Sequence, residues 1–267
     1  VPLAMAAMGA VVALKKDWRR SLPFAVFGLL VFLFMGKQLR FYARWMMPIY
    51  PVLAIFAGYF VVESAKWITA RFSGGADRSP LVAGCCVLAL ALVGPLVHVV
   101  HNDLVLSRSD TRQMAKSWIL ENVPQGDKIA FDLLGPPSYY NKGDALKGEP
   151  AFAIRPLPRG SEIEKFAQNL SPAVLEGFER DGYCWVVSGS TQKGRVMKDP
   201  SKAPGAAAYY AALDGRAEKV ARFSPMKDGK PVPRFNFDTS YNYYPMGYYR
   251  PGPEIEIYRL RGGNCAS

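Results

Sequence analysis

The sequence predicts a membrane α-helical region of about four transmembrane helices, the first one truncated, followed by a small α/β extracytoplasmic domain. Three observations predict it. Residues 1–103 are dominated by uncharged apolar runs, whereas residues 104–267 are mixed in character and rich in turns. The mean hydropathy of +0.01 therefore averages two unlike halves. The formal net charge of +11 is also uneven, since residues 1–80 hold ten Lys/Arg against three Asp/Glu and the rest twenty-three against nineteen. Finally, helical and strand-like stretches alternate through the second half, the pattern of an α/β domain with a largely parallel sheet.

Four apolar segments make up the membrane region. Pro2–Leu14 reads as the end of a helix cut inside a longer polytopic protein, because the basic residues Lys15, Lys16, Arg19 and Arg20 follow the run. A signal peptide would place them before it. Ser21–Gly36 is uncharged and rich in Phe and Leu, Trp45–Val62 is flanked by Arg44 and Glu63, and Pro80–Val100 has no Asp, Glu, Lys or Arg. A span needs about 20 apolar residues. The last two segments qualify, and the second reaches across with Leu39 or a snorkelling Lys37. A buried hairpin in a water-soluble protein is excluded because nothing else in the chain covers so much apolar surface.

Loop charge predicts orientation. Lys15-Lys16-Asp17-Trp18-Arg19-Arg20 and the loop holding Lys66, Arg71 and Arg78 satisfy the positive-inside rule if both are cytoplasmic. The second half then emerges on the extracytoplasmic side. Most of the excess charge thus has a topological role, and no basic stripe marks the second half, so no nucleic-acid partner is expected.

The loop over 37–44 must also face outward, yet it carries Lys37, Arg40 and Arg44. On a helix Arg40 and Arg44, four apart, share a face. Two guanidinium forks at the membrane surface with Tyr42 alongside suit a phosphate or pyrophosphate at headgroup depth. Ordinary snorkelling Arg beside an aromatic belt of Trp45, Tyr50 and Tyr59 explains the spacing equally well.

Arg40-Phe41-Tyr42-Ala43-Arg44 leading into Met47-Pro48-Ile49-Tyr50-Pro51 resembles the Arg-Tyr…Leu-Pro-x-x-Pro segment of GT-C-type polytopic glycosyltransferases, relatives of protein O-mannosyltransferases and the lipid A aminoarabinose transferase. Asp110 through Ala130 is similar to the helix and strand that open the C-terminal domain of many bacterial members, and Arg250 through Leu260 to their closing strand. The resemblance implies a transferase of the bacterial cell envelope, multi-pass in the inner (plasma) membrane. It implies a polyprenyl-phosphate-linked sugar as donor and a glycan, lipid or protein acceptor outside. It also implies donor-phosphate contacts from Lys37, Arg40, Tyr42 and Arg44, and a catalytic acidic residue upstream of this fragment, so no catalytic residue is assigned within it.

In the second half, Ser109 or Asp110 caps a helix through Glu121, with Met114, Trp118 and Ile119 on one face. Lys128–Asp132 predicts a strand; Pro136, Pro137, Gly143, Gly148 and Pro150 mark a long loop. Helices are predicted over Glu162–Asn169, Pro172–Arg180 and Ala206–Leu213, and strands over Tyr183–Ser188, Glu218–Phe223 and Glu254–Leu260. Neither a Gly-x-Gly-x-x-Gly nor a Walker loop is present, so no cofactor is identifiable, and a divalent metal stays open. Ser188-Gly189-Ser190-Thr191 reads as a plain turn ahead of an anion site. His98 and His101, the only two histidines, fit an interfacial pair better than a metal site with Asp103, since two ligands do not make one.

Between Phe235 and Tyr249 the chain is dense in aromatic and amide groups. Tyr243, Tyr244 and Tyr248 are candidate acceptor or sugar contacts; a loop packed over the sheet is the plainer reading. Cys85 and Cys86 lie in an apolar run and read as small hydrophobes. Cys184 and Cys265 would both face the oxidising side, where a disulfide is open to them. A non-catalytic membrane-anchored glycan- or protein-binding module remains the alternative to the transferase. A transporter is disfavoured because no ionisable residue falls inside a predicted span.

Overall fold

Runs of apolar residues longer than any protein core here could cover fold as helices α1 (Pro2–Lys16), α2 (Trp18–Gly36), α3 (Tyr50–Phe72) and α4 (Pro80–Leu106). The computed structural model describes residues 2–37, 43–72, 80–131, 153–156, 170–227, 230–233 and 244–265. Asp17 starts α2, its Oδ1 accepting from the Arg20 amide at 3.3 Å. No residue of α2 is buried, and Leu29, Leu30, Phe32, Leu33 and Phe34 are exposed all round the helix. Protein does not cover this surface and water would not tolerate it, so its solvent is lipid.

Three described helices are long and apolar enough to cross a membrane. The chain is a membrane protein. Of the four expected helices, the first expected short, α1 has 15 residues and the other three reach membrane-spanning length among the described residues. The third apolar stretch ends with α4: the following helix, set off by residues 107–110, carries Arg112, Lys116 and Glu121 and packs on a sheet. The expected span Trp45–Val62 is also displaced. A 3-10 helix occupies Ala43–Ile49 and the α-helix begins at Tyr50. Pro48 lacks an amide hydrogen and Pro51 falls in the first turn, where its missing amide costs no helical bond, so the prolines favour this start. Glu63 consequently lies inside α3 rather than at its end, paired with Lys16 and, at 3.1 Å, with Lys66. The expectation of no ionisable residue within a span fails here, and the charge is tolerated because it is paired.

Helices α1 and α3 run parallel: Gly9 lies over the Phe56 carbonyl, and about two turns on, Lys16 meets Glu63. Ala6, Ala13, Val52 and Phe56 close the contact. Small residues permit this approach, as membrane helices require when no hydrophobic gain separates protein from lipid.

Contacts divide the chain into two compact units, residues 1–100 and 101–267. In the second, Asp110 caps α5 (Thr111–Asn122), accepting from the Arg112 amide at 2.7 Å. There follow β1 (Lys128–Phe131), β2 (Ala153–Pro156), α6 (Pro172–Asp181), β3 (Trp185–Gly189), α7 (Ser190–Lys198), α8 (Pro204–Arg216), β4 (Glu218–Phe223) and β5 (Ile255–Arg259). The five strands are ordered β2-β1-β3-β5-β4. β1 pairs in parallel with β2 and β3, whereas β5 is antiparallel to both β3 and β4. The sheet is therefore mixed, not largely parallel: the chain returns from β4 into β5 beside it, a neighbour pairing that needs no crossover helix.

Alternation along the strands builds two cores. Ile129, Phe131, Trp185, Val187, Ile255 and Ile257 face α5, with Ala115 and Ile119. Ala130, Val186, Tyr258 and Leu260 face the other way, under Leu175 and Phe178 of α6 and Tyr210 and Leu213 of α8. Each such fully buried large side chain contributes roughly 1.5–3 kcal/mol. Gly182, at φ 75°, ends α6 in the left-handed conformation that favours glycine. The C-terminal residues return to β3 through a Cys184–Cys265 disulfide with Cα atoms 5.3 Å apart. The helix expected over 162–169, and the long loop before β2, lie outside the described residues.

Candidate functional site

Strand β3 delivers the chain directly into α7, so the start of that helix sits at the carboxyl end of a central strand. Two hydrogen bonds fasten it to the approach of β5: the Ser190 amide donates to Glu254 O at 2.8 Å, and the Glu254 amide donates to Ser190 Oγ at 3.0 Å. The turn expected over 188–191 is thus a helix start whose first hydroxyl already has a backbone partner. Beside it lies a cleft of about 270 Å³ between α7, the start of β5 and the segment around Tyr248.

That segment is held down at several points. His101 Nε2 lies 3.0 Å from Pro245 O. Arg108 donates to Tyr249 O at 2.5 Å and stacks its guanidinium 3.9 Å from the Tyr249 ring centre. The Tyr249 amide donates to Pro225 O at 2.8 Å. Gly252 has φ 99°, and a Cβ there would fall 2.1 Å from Thr111 Oγ1. Only glycine lets the chain turn this closely over α5, and Thr111 then donates to Pro253 O at 2.7 Å.

One wall of the cleft belongs to a charge cluster. Lys193 donates to Asp214 at 2.9 Å, to Glu256 Oε2 at 2.9 Å and to the Tyr258 hydroxyl at 3.1 Å. The Tyr258 hydroxyl lies 2.6 Å from both Asp214 Oδ1 and Glu256 Oε2. Lys219 bonds the other oxygen of Glu256. Burial alone would push the Glu256 carboxyl up; the bonds from Lys219, Tyr258 and Lys193 outweigh it and hold the group at about 2. Burial pulls the Lys193 ammonium down, but Asp214 and Glu256 more than restore it and leave it raised. Burial and then the two carboxylates raise the Tyr258 phenol. At neutral pH the cluster therefore holds fixed charges: it shapes and polarises the cleft, and its shifted groups move away from the range that proton transfer needs.

The residues expected from sequence are distributed as follows. Lys37 is exposed at the end of α2. Arg40 and Tyr42 lie outside the described residues; Arg44 is in the 3-10 helix Ala43–Ile49, its side chain likewise outside. Tyr243 is also outside. Tyr244 and Tyr248 come together, ring centres 5.9 Å apart, and Tyr248 lines the cleft. Burial raises both phenols, which keeps them as hydroxyls. No group of three or more His, Cys, Asp or Glu suited to a metal occurs among the described residues.

Lys193, Asp214, Glu256 and Tyr258 were not expected from sequence. A signal was present: Glu256 interrupts the apolar run Ile255-Glu256-Ile257-Tyr258 of a closing strand, and a carboxylate on a buried face demands cationic partners. Among known proteins, no family model, curated sequence or solved structure matches this chain.

Proposed function

We propose that the chain is the C-terminal part of an integral membrane glycosyltransferase that moves a sugar from a polyprenyl-phosphate donor to an acceptor on the extracytoplasmic side. The observation that carries this reading is the position of the basic segment. Lys37, Arg40 and Arg44 fall between α2 and α3, two membrane-length helices, with the prolines 48 and 51 at the start of the second. A connection of that kind lies at headgroup depth, where the phosphate of a lipid-linked sugar resides. Guanidinium forks match phosphate oxygens in bidentate fashion. Lys37, Arg40 and Arg44 hold the phosphate, with Tyr42 beside it, and no residue of this chain is assigned as the catalytic carboxylate.

The Cys184–Cys265 pairing supports an extracytoplasmic α/β domain in an inner membrane, because such bonds persist in oxidising compartments. The parallel course of α1 and α3 supports the alternating crossings that the loop charges imply.

Arg40→Gln with Arg44→Gln, made in the complete protein in membranes, is expected to abolish consumption of a polyprenyl-phosphate sugar. Wild-type turnover refutes the assignment. A second reading, a membrane-anchored module that binds glycan or protein without catalysis, is favoured by the cleft, whose shifted groups are fixed in charge. Absent turnover with the arginines intact, alongside retained ligand binding, selects it.

A further inference from the structure

Among the described residues, the cleft beside α7 contains polar groups that the fold does not use. Arg222 bonds Glu254 only through Oε2, at 2.8 Å from Nε and 2.6 Å from Nη2, so Oε1 keeps its acceptor capacity. Among the described residues Thr191 Oγ1, Lys198 Nζ and the Tyr248 hydroxyl make no hydrogen bond, and all three residues line the cleft. Apolar surface completes the lining: Met197, Val232, Pro233 and Pro253. We propose that this cleft binds one neutral, polyhydroxylated ring, a monosaccharide unit of an extracytoplasmic glycan.

Charge selects that class. Lys193 and Lys198 are balanced by Glu254 and Glu256 in the same lining. A phosphate or sulfate would meet two carboxylates, and a metal cation two ammonium groups; like-charge contact of this kind opposes either. A neutral sugar meets neither penalty. Its hydroxyls donate to Glu254 Oε1 and accept from Lys198, exchange bonds with Thr191 and Tyr248, and its C–H face rests on the prolines and Val232. Size points to a single ring, since drug-sized ligands occupy pockets of about 300–1,000 Å³ and this one, at about 270 Å³, falls just below that range. The proposal does not depend on sugar transfer: it holds for an acceptor subsite of a transferase and for a binding module, so binding and donor turnover are separate readouts.

The test is saturation-transfer NMR on the full chain in phosphatidylcholine nanodiscs, with the methyl glycosides of glucose, galactose, mannose and N-acetylglucosamine at millimolar concentration. At least one is expected to receive saturation, strongest at ring C–H protons. Thr191→Trp fills the cleft from a partly exposed helix position and is expected to remove the signal. Glu254→Gln keeps the shape of the side chain and is expected to weaken binding by about tenfold, the loss of one charge-assisted hydrogen bond. No transfer to any of the four overturns the proposal. So does a signal undiminished in both variants, and so does methyl glucuronoside binding more tightly than every neutral glycoside.

Discussion

Replacing Glu256 by Gln tests whether the charge cluster stabilises the α/β domain. The carboxylate bonds Lys193 and Lys219 and lies beside the Tyr258 hydroxyl, with its side chain 11% exposed. Gln keeps the volume and one acceptor but leaves Lys219 without this carboxylate and Lys193 with Asp214. Moving the carboxyl from its ordinary 4.5 to about 2 corresponds to about 3 kcal/mol at about 1.4 kcal/mol per pH unit. A loss of about 2–3 kcal/mol is therefore expected near neutral pH, at or below the lower end of the roughly 3–5 kcal/mol for breaking a fully buried pair. Because the folded-state value is depressed, the contribution is fully present above pH 4.5 and fades as pH falls toward about 2. The two proteins should converge in stability over that window. Hydrogen exchange of β5 peptides in the full chain in detergent, across a urea series, reads the difference directly. Glu218→Gln removes a half-exposed pair with Arg261 and should change stability by less than about 0.5 kcal/mol. A Glu256→Gln loss as small as that control, or one that persists unchanged at pH 3, refutes the reasoning.

Gly9→Ala places a methyl where the built atom lies 1.9 Å from the Phe56 carbonyl oxygen, and overpacking of this kind costs about 1–3 kcal/mol. Gly58→Ala meets nothing within 4 Å. Thermal unfolding of the helical unit in detergent should fall for the first and not for the second. Cys265→Ser should lower the stability of the α/β domain by about 2–4 kcal/mol, and wild-type protein should change gel mobility on reduction while the variant does not, because Cys184 loses its partner. Gly252→Ala should destabilise the same domain by about 1–3 kcal/mol, since the residue would adopt φ 99° against Thr111; an unchanged urea midpoint would count against the account of that turn.

Much of this architecture was legible along the chain. Length, apolarity and the absence of charge identify α2 and α4 without any partner, because a helix in lipid satisfies its own backbone bonds. Asp110 before α5 and the apolar alternation of β5 are local signals, and each element formed where they stand. Tertiary structure decided what depends on residues far apart in sequence. β2, four residues ending in Pro156, is a strand only because β1 pairs with it. α7, polar apart from Val196 and Met197 and interrupted by Gly194, is a helix whose start β5 fastens and whose Val196 joins the core. The antiparallel setting of β5 turned a parallel expectation into a mixed sheet and brought Glu256 and Tyr258 to Lys193 and Asp214, residues 42 or more positions apart from β5 along the chain. The reason is physical: capping, periodicity and transfer into lipid are short-range free energies that a sequence carries on its face, whereas strand order, charge pairing and cleft shape depend on contacts that exist only once the chain has closed.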